Sequence, residues 1–399
     1  MAYSDNANQK KVTVLKFDGT NWVTVGLPGF SAGEADYINL AFSSSGQPYV
    51  AYQDWTTNKA TVMKFDGTNW VYEGAAGFSQ ATAMFISLAF CPTDGHPYVA
   101  FSDWGNAQHA SVMKYNGTNW VYVGTAGFSA GMVMYTSIAF NTVGQPYIAF
   151  KDQGNSYKAT VMKFDGTNWM NVGNAGFSAG EAYYEDIAIS PTGQPYLAYQ
   201  DKANSYKSTV MKFDGTNWIT VGPAGFSAGE ADYINLVFNP SGELYIAYMD
   251  YGNYVAVTVM KFNDPSWGVV GMAGFSLGNS AYPSLAFSPS GQPYVSFEDF
   301  QSSNKASVMY YNAPAGINQL HRPQLSFYPN PATNEITFEL SGATTEKDVS
   351  IVNLEGQKLI SRQITEPKTQ LDISTLSKGV YIVRVMGERT VEVGKFVKQ

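Results

Sequence analysis

The chain has 399 residues, is 15% aromatic and only 14% charged, and carries a net charge of −8. That length exceeds one ordinary domain; the single cysteine, Cys91, excludes an intrachain disulfide, and no apolar run approaches the ~18 residues of a spanning helix. The charge is uneven: all four arginines (Arg322, Arg362, Arg384, Arg389) follow residue 321, and the preceding stretch has a net charge of −9, without the basic footprint of a nucleic-acid binder.

In chain order, "KFDGTNW" stands at Lys16–Trp22, Lys64–Trp70, Lys163–Trp169 and Lys212–Trp218, with variants at Lys114–Trp120 and Lys261–Trp267. "GFS" begins at Gly29, Gly77, Gly127, Gly176, Gly225 and Gly274, a spacing of 48 to 50 residues. Each unit holds four short apolar runs, as in "INLAF", "YVAYQ", "ATVMKF" and "WVYEG", separated by Gly-containing turns. Asp66-Gly67 is expected to form a two-residue hairpin turn with positive φ at both positions. No segment carries a useful 3.6-residue apolar stripe.

Four antiparallel strands repeated at this period are the signature of a propeller blade. One blade cannot bury both faces alone, so blades pack around an axis. The six repeat tryptophans and the Phe of each "GFS" are expected between blades. The expected fold is all-β, a propeller of six or seven four-stranded blades followed by a small Ig-like sandwich. Residues 1–311 form the propeller, 312–323 a linker and 324–399 the second domain. Ala2–Gly19 aligns with Ala51–Gly67, so the chain is expected to start inside a second strand, N-terminally truncated; Met1–Lys11 has no secretory leader pattern.

An Asp closes the second strand of every unit: Asp5, Asp54, Asp103, Asp152, Asp201, Asp250 and Asp299. Aromatic residues follow: Trp55, Trp104, Tyr251 and Phe300 at once, Tyr157 and Tyr206 slightly later. These loops and the long "GFS" connections share one face of an up-and-down propeller. Two readings of the Asp stand side by side: a cap on its own turn, or a carboxylate that accepts sugar hydroxyls beside an aromatic ring. The candidate ligand-binding residues are Asp54, Trp55, Asp103, Trp104, Asp152, Tyr157, Asp201, Tyr206, Asp250, Tyr251 and Asp299. No catalytic or metal-binding residue and no cofactor is expected, calcium being conceivable in the acidic loops. His96, His109, His321 and Cys91 share no zinc spacing. A sialidase-type site would need an arginine cluster, and the repeats have none. Near-identical units argue for repeated weak binding over one asymmetric catalytic pocket; a polysaccharide-degrading enzyme and a protein-interaction scaffold are the alternatives.

After residue 323 the repeat stops. Alternating runs surround Tyr328-Pro329-Asn330-Pro331, a turn from Asn353 to Gly356, Leu376, Gly379 with Tyr381, and a basic end with Lys395 and Lys398. These ordered phrases resemble the type A C-terminal sorting domain of the type IX secretion system of Bacteroidetes. The resemblance implies export across both membranes, recognition by the secretion machinery and cleavage by a sortase-like protease. The protein is then released or attached at the surface, where a glycan or other polymer is the expected partner.

Overall fold

The computed structural model describes residues 1–276, 278–312, 325–340, 347–353, 357–366, 368–386 and 391–399. Contacts divide the chain into two units, Met1–Asn312 and Ala313–Gln399. The expected linker at 312–323 lies almost wholly outside the described residues.

The first unit is a β-propeller of seven antiparallel sheets. Five have four strands, and the first and last have three. Strands follow one another in chain order within each sheet. In the second sheet they are Ala35–Phe42, Pro48–Asp54, Lys59–Phe65 and Trp70–Tyr72. The first strands of successive sheets touch one another, so each sheet runs from an inner strand outward. The sheet starting at Ala2 has the second, third and fourth strands of the pattern, and the last sheet has the first three.

The repeated phrases explain how sheets adhere. Trp70, Trp120, Trp169, Trp218 and Trp267 each donate an indole N–H to a backbone carbonyl of the preceding sheet at 2.7–2.8 Å. The Phe of the preceding "GFS" stacks on the same ring, with centroids 4.1–4.6 Å apart. The Gly of "GFS" takes φ near +60°, which a side chain would strain; Gly77 donates its N–H to Thr61 Oγ1. Nearer the axis, Asn39, Ser87, Ser137, Asp186 and Asn235 each accept the N–H of the inner strand next door at 2.7–3.2 Å. In each four-stranded blade one tryptophan and one polar side chain thus rivet neighbouring sheets at two radii. Trp22 of the first sheet, expected between blades with the others, is instead 42% exposed and packs on Phe17 of its own sheet.

Two expectations are corrected. The Asp66-Gly67 turn is a four-residue turn: Phe65 pairs with Trp70, and Asp66 N–H bonds Asn69 O. Only Gly67 of the pair has positive φ, at +104°. Asp66 Oδ1 accepts the N–H groups of Thr68 and Asn69, and that cap replaces the left-handed Asp of a two-residue hairpin. The inner strands also begin three residues earlier than "INLAF". Each includes a bulge, as between Asp36 and Asn39, that a strictly alternating pattern hides.

The second unit has a three-stranded sheet (Leu325–Tyr328, Glu335–Leu340, Lys368–Asp372) and a four-stranded sheet (Lys347–Val352, Lys358–Ile364, Gly379–Met386, Val391–Lys398). Ile336 and Phe338 of one sheet share a core with Val349, Ile351, Val383 and Phe396 of the other. The arrangement is a two-layer β fold around one buried seam.

Candidate functional site

The ends of the second strands, the "GFS" connections and the starts of the inner strands lie together on one face of the propeller, since Ala35 pairs with Asp54 and Asp36 with Gln53. The predicted residues of the repeat all belong to this face, though the Asp and the aromatics do different things there.

The Asp side chains turn inward. Asp54, Asp103, Asp152, Asp201 and Asp250 are buried. Asp201 accepts the N–H of Ala203 at 3.0 Å, Asn204 Nδ2 at 2.8 Å and Thr209 Oγ1 at 2.9 Å. Asp103 and Asp250 repeat this set on their own turns, and Asp54 bonds Thr56 through both N–H and hydroxyl. Asp152 accepts Asn155 and Thr160 on one oxygen. Asp299 is partly exposed and accepts Gln301, Ser302 and Ser307. In most units each Asp caps a one-turn 3-10 segment that is followed by two left-handed residues. Its hydroxyl partner in turn receives the "GFS" Gly N–H, as Thr209 does from Gly225. The carboxylate therefore fixes the shape of both loops on this face.

The aromatics turn outward. Trp55 is 51% exposed, Trp104 49%, Tyr251 46% and Phe300 41%. Trp55 Nε1 donates to Asp36 Oδ2 at 3.0 Å, holding the indole face in solvent beside a carboxylate. Burial, with the charge of Asp232 nearby, raises the Tyr251 hydroxyl. Tyr157 and Tyr206 are half-buried and gather around Tyr183: Lys151 Nζ sits 3.2 Å from the Tyr183 ring centre and 5.2 Å from that of Tyr157, and Tyr206 lies 6.1 Å from Tyr183. Glu181 closes this cluster, accepting the Tyr183 hydroxyl and Lys202 Nζ, each at 2.7 Å. The Lys202 bond holds the Glu181 carboxyl below its usual range, and burial lowers Lys151.

Two features of this face are absent from the predicted list. The first is an axial collar. Tyr37, Phe85, Tyr135, Tyr184, Tyr233 and Tyr282 occupy the bulge of six successive inner strands, all at φ 50–54°. Neighbouring ring centres are 4.3–5.2 Å apart and tilted 47–54°. That tilt matches the about 51° between blades of a sevenfold wheel. The rings line a cavity of about 760 Å³, which also reaches Asp36, Glu298, Ala2 and Phe297. The signal was in the sequence: each collar residue stands eight positions after the Gly of its "GFS".

The second feature is Glu185, at the position of Ile38, Ile86 and Ile234 in other blades. It is buried, neither carboxylate oxygen has a hydrogen-bond partner, and burial raises its pKa to about 8. Its neighbour Asp186 is also raised by burial, though it accepts Ser137, Asn235 and the Leu236 N–H. Among the described residues no cluster of three His, Cys, Asp or Glu could hold a metal.

In the second unit, Asn330 fastens the chain's end: its Oδ1 accepts the Val397 N–H at 2.9 Å, and Ala332 exchanges backbone bonds with Val397 and Gln399. Tyr328, Pro329 and Pro331 flank it on the surface. Gly379 pairs with Lys398; the Tyr381 ring stacks on Phe396, and its hydroxyl bonds Ser377 O. Lys395 is exposed, while Lys398 is buried. Gly356 lies outside the described residues. Residues 326–399 match the family model described as the secretion system C-terminal sorting domain. This unit is a type IX sorting domain.

The sorting domain thus follows a repeated β region and marks the chain for export. No curated protein matches the chain. Among solved structures, a Hadza microbial sialidase is 14% identical, with 75% of this chain and 71% of the sialidase covered at a TM-score of 0.50. That likeness concerns the propeller fold. The fucose-binding lectin of Aleuria aurantia is 16% identical, covering 70% and 92% at 0.48. PorZ of Porphyromonas gingivalis, a surface component of the type IX secretion system, is 14% identical, covering 97% and 63% at 0.44. No helix among the described residues is long and apolar enough to cross a membrane.

Proposed function

We propose that the protein is a secreted or surface-attached binding module that holds glycans, or similar extracellular polymers, on the loop face. The observation that carries this reading is the pair Trp55 and Asp36. An exposed indole face is fixed by its own N–H to a carboxylate, so a sugar ring can stack while its hydroxyls meet carboxylate oxygen. Trp104, Tyr251 and Phe300 repeat the exposed ring on other blades. The buried Asp54, Asp103, Asp152, Asp201 and Asp250, with the partly exposed Asp299, serve in this reading as the frame that presents the rings. Weak sites around one rigid disc gain ~10²–10⁴ in avidity for a repeating polymer. The sorting domain supplies the address, through contact with the secretion machinery and its sortase-like protease.

A glycan array tests the proposal. The full chain should bind a set of polysaccharides, and Trp55→Ala with Trp104→Ala should weaken that binding at least about tenfold. A blank array at high protein concentration, or binding untouched by the double substitution, rejects it.

A further inference from the structure

The sorting domain keeps its charges apart. Residues 322–399 hold ten Lys and Arg and nine Asp and Glu, close to balance. Yet Lys358, Arg384 and Lys395 of its four-stranded sheet make no ion pair among the described residues. On the three-stranded sheet, Glu335 stands directly opposite Asp372, and like charges so placed cost stability. One sheet thus shows carboxylates and the other shows cations.

The cations share one face. Val349, Ile351, Val383 and Phe396 point into the core, so strand alternation turns Val352, Ile382, Arg384 and Lys395 to the outer face. One cross-strand row there runs Lys358, Val352, Ile382, Lys395, with a bulge beside Val352 bringing Lys358 into line. In the next row Arg384 lies opposite Ser350, a diagonal neighbour of Lys395. All three cations are exposed, as is Leu359, while Ile382 and Val397 are half-buried between them. Asp348, a carboxylate on this face, lies one row beyond Arg384, opposite Met386.

Lys358 and Lys395 stand on the two outermost strands, where a lysine also serves to keep foreign strands from pairing. Arg384 has no such role. Its strand, Gly379–Met386, is paired on both sides, so its charge guards no edge, and its partner across the sheet is a neutral serine. An exposed guanidinium beside apolar Ile382, with no carboxylate of its own, suits a carboxylate that arrives from outside. Three spaced cations around Ile382, Val397 and Leu359 match a protein interface, apolar at its centre and polar at its rim; a lipid headgroup layer calls for a denser basic cluster.

We infer that the secretion machinery docks on this outer sheet face, through a protein surface that sets carboxylates against Lys358, Arg384 and Lys395 around an apolar centre. The inference rests on the family of the domain and is independent of the glycan reading of the propeller.

The test is export of the full chain, expressed behind a periplasmic leader in cells that carry a type IX system and scored by fractionation. The triple substitution Lys358→Glu, Arg384→Glu and Lys395→Glu should lower the exported fraction at least about tenfold. The melting temperature should stay unchanged, because all three side chains are exposed. Lys358→Arg with Lys395→Arg keeps the charge and should be exported normally, as should Lys378→Glu, an exposed lysine outside the sheet. If the triple variant melts early, Arg384→Gln alone is scored and should lower export at least about threefold. Normal export of the folded Glu or Gln variant, an equal loss in Lys378→Glu, or a loss in the charge-keeping variant would overturn the inference. So would binding of the purified full chain to phosphatidylglycerol vesicles that the triple Glu variant loses, which would assign the face to a lipid surface.

Discussion

Glu185 should make the propeller less stable as pH rises, and replacing it should remove that dependence. Its carboxyl is sealed between blades with no hydrogen bond to either oxygen, and its pKa is pushed up to about 8. A raised carboxyl pKa leaves stability intact below the unfolded value, near 4.5, and erodes it as pH climbs toward the folded one. Between those limits the unfolded chain gives up the proton and the folded chain keeps it, so each pH unit costs about 1.4 kcal/mol. The cost is about 1 kcal/mol at pH 5 and about 3 kcal/mol at pH 7. Glu185→Gln keeps the volume and does not titrate. Urea unfolding of the two proteins at both pH values should show the variant's relative stability rising by about 2 kcal/mol from pH 5 to pH 7. A difference that stays flat with pH would refute the reasoning. Glu185→Ile, the residue of three other blades, should behave alike.

The capping role of the strand-end Asp is tested at Asp201. Asp201→Ala strips acceptors from Ala203, Asn204 and Thr209, and should cost about 2–4 kcal/mol in thermal or urea unfolding; a loss below about 0.5 kcal/mol would remove the framing role. Deleting Arg322–Gln399 should leave the propeller in the periplasm, scored by fractionation and surface labelling. Appearance of the deleted form at the cell surface would refute the export role of the tail.

The sequence carried the blade because its signals are periodic: Trp70 and the Phe of "GFS" recur where one must meet the other across a sheet boundary. The sorting domain was legible for a different reason, as ordered phrases such as Tyr328–Pro331 that turn out to tie down the last strand. The Asp of each unit was visible, but its environment was not. A buried cap and an exposed ligand group leave the same letter in the same place, and only the partners at Asn204 and Thr209 show which way Asp201 points. The collar escaped because "ADY" reads as loop, and a bulge with left-handed Tyr37 breaks strand alternation. Glu185 shares its aligned column with Thr136 and Pro283 as well as three isoleucines, and is conspicuous only once Ile38, Ile86 and Ile234 are known to face the interior.

The claim on which the account turns is that one face of the propeller does the binding. Hydroxyl-radical footprinting of the full chain, with and without a polysaccharide that it retains, measures this directly. The account predicts protection of Trp55, Trp104, Tyr251 and Phe300, with the Asp66–Asn69 turn and its equivalents on the opposite face unchanged. Protection centred on those opposite turns, with the four rings still fully reactive, would contradict it.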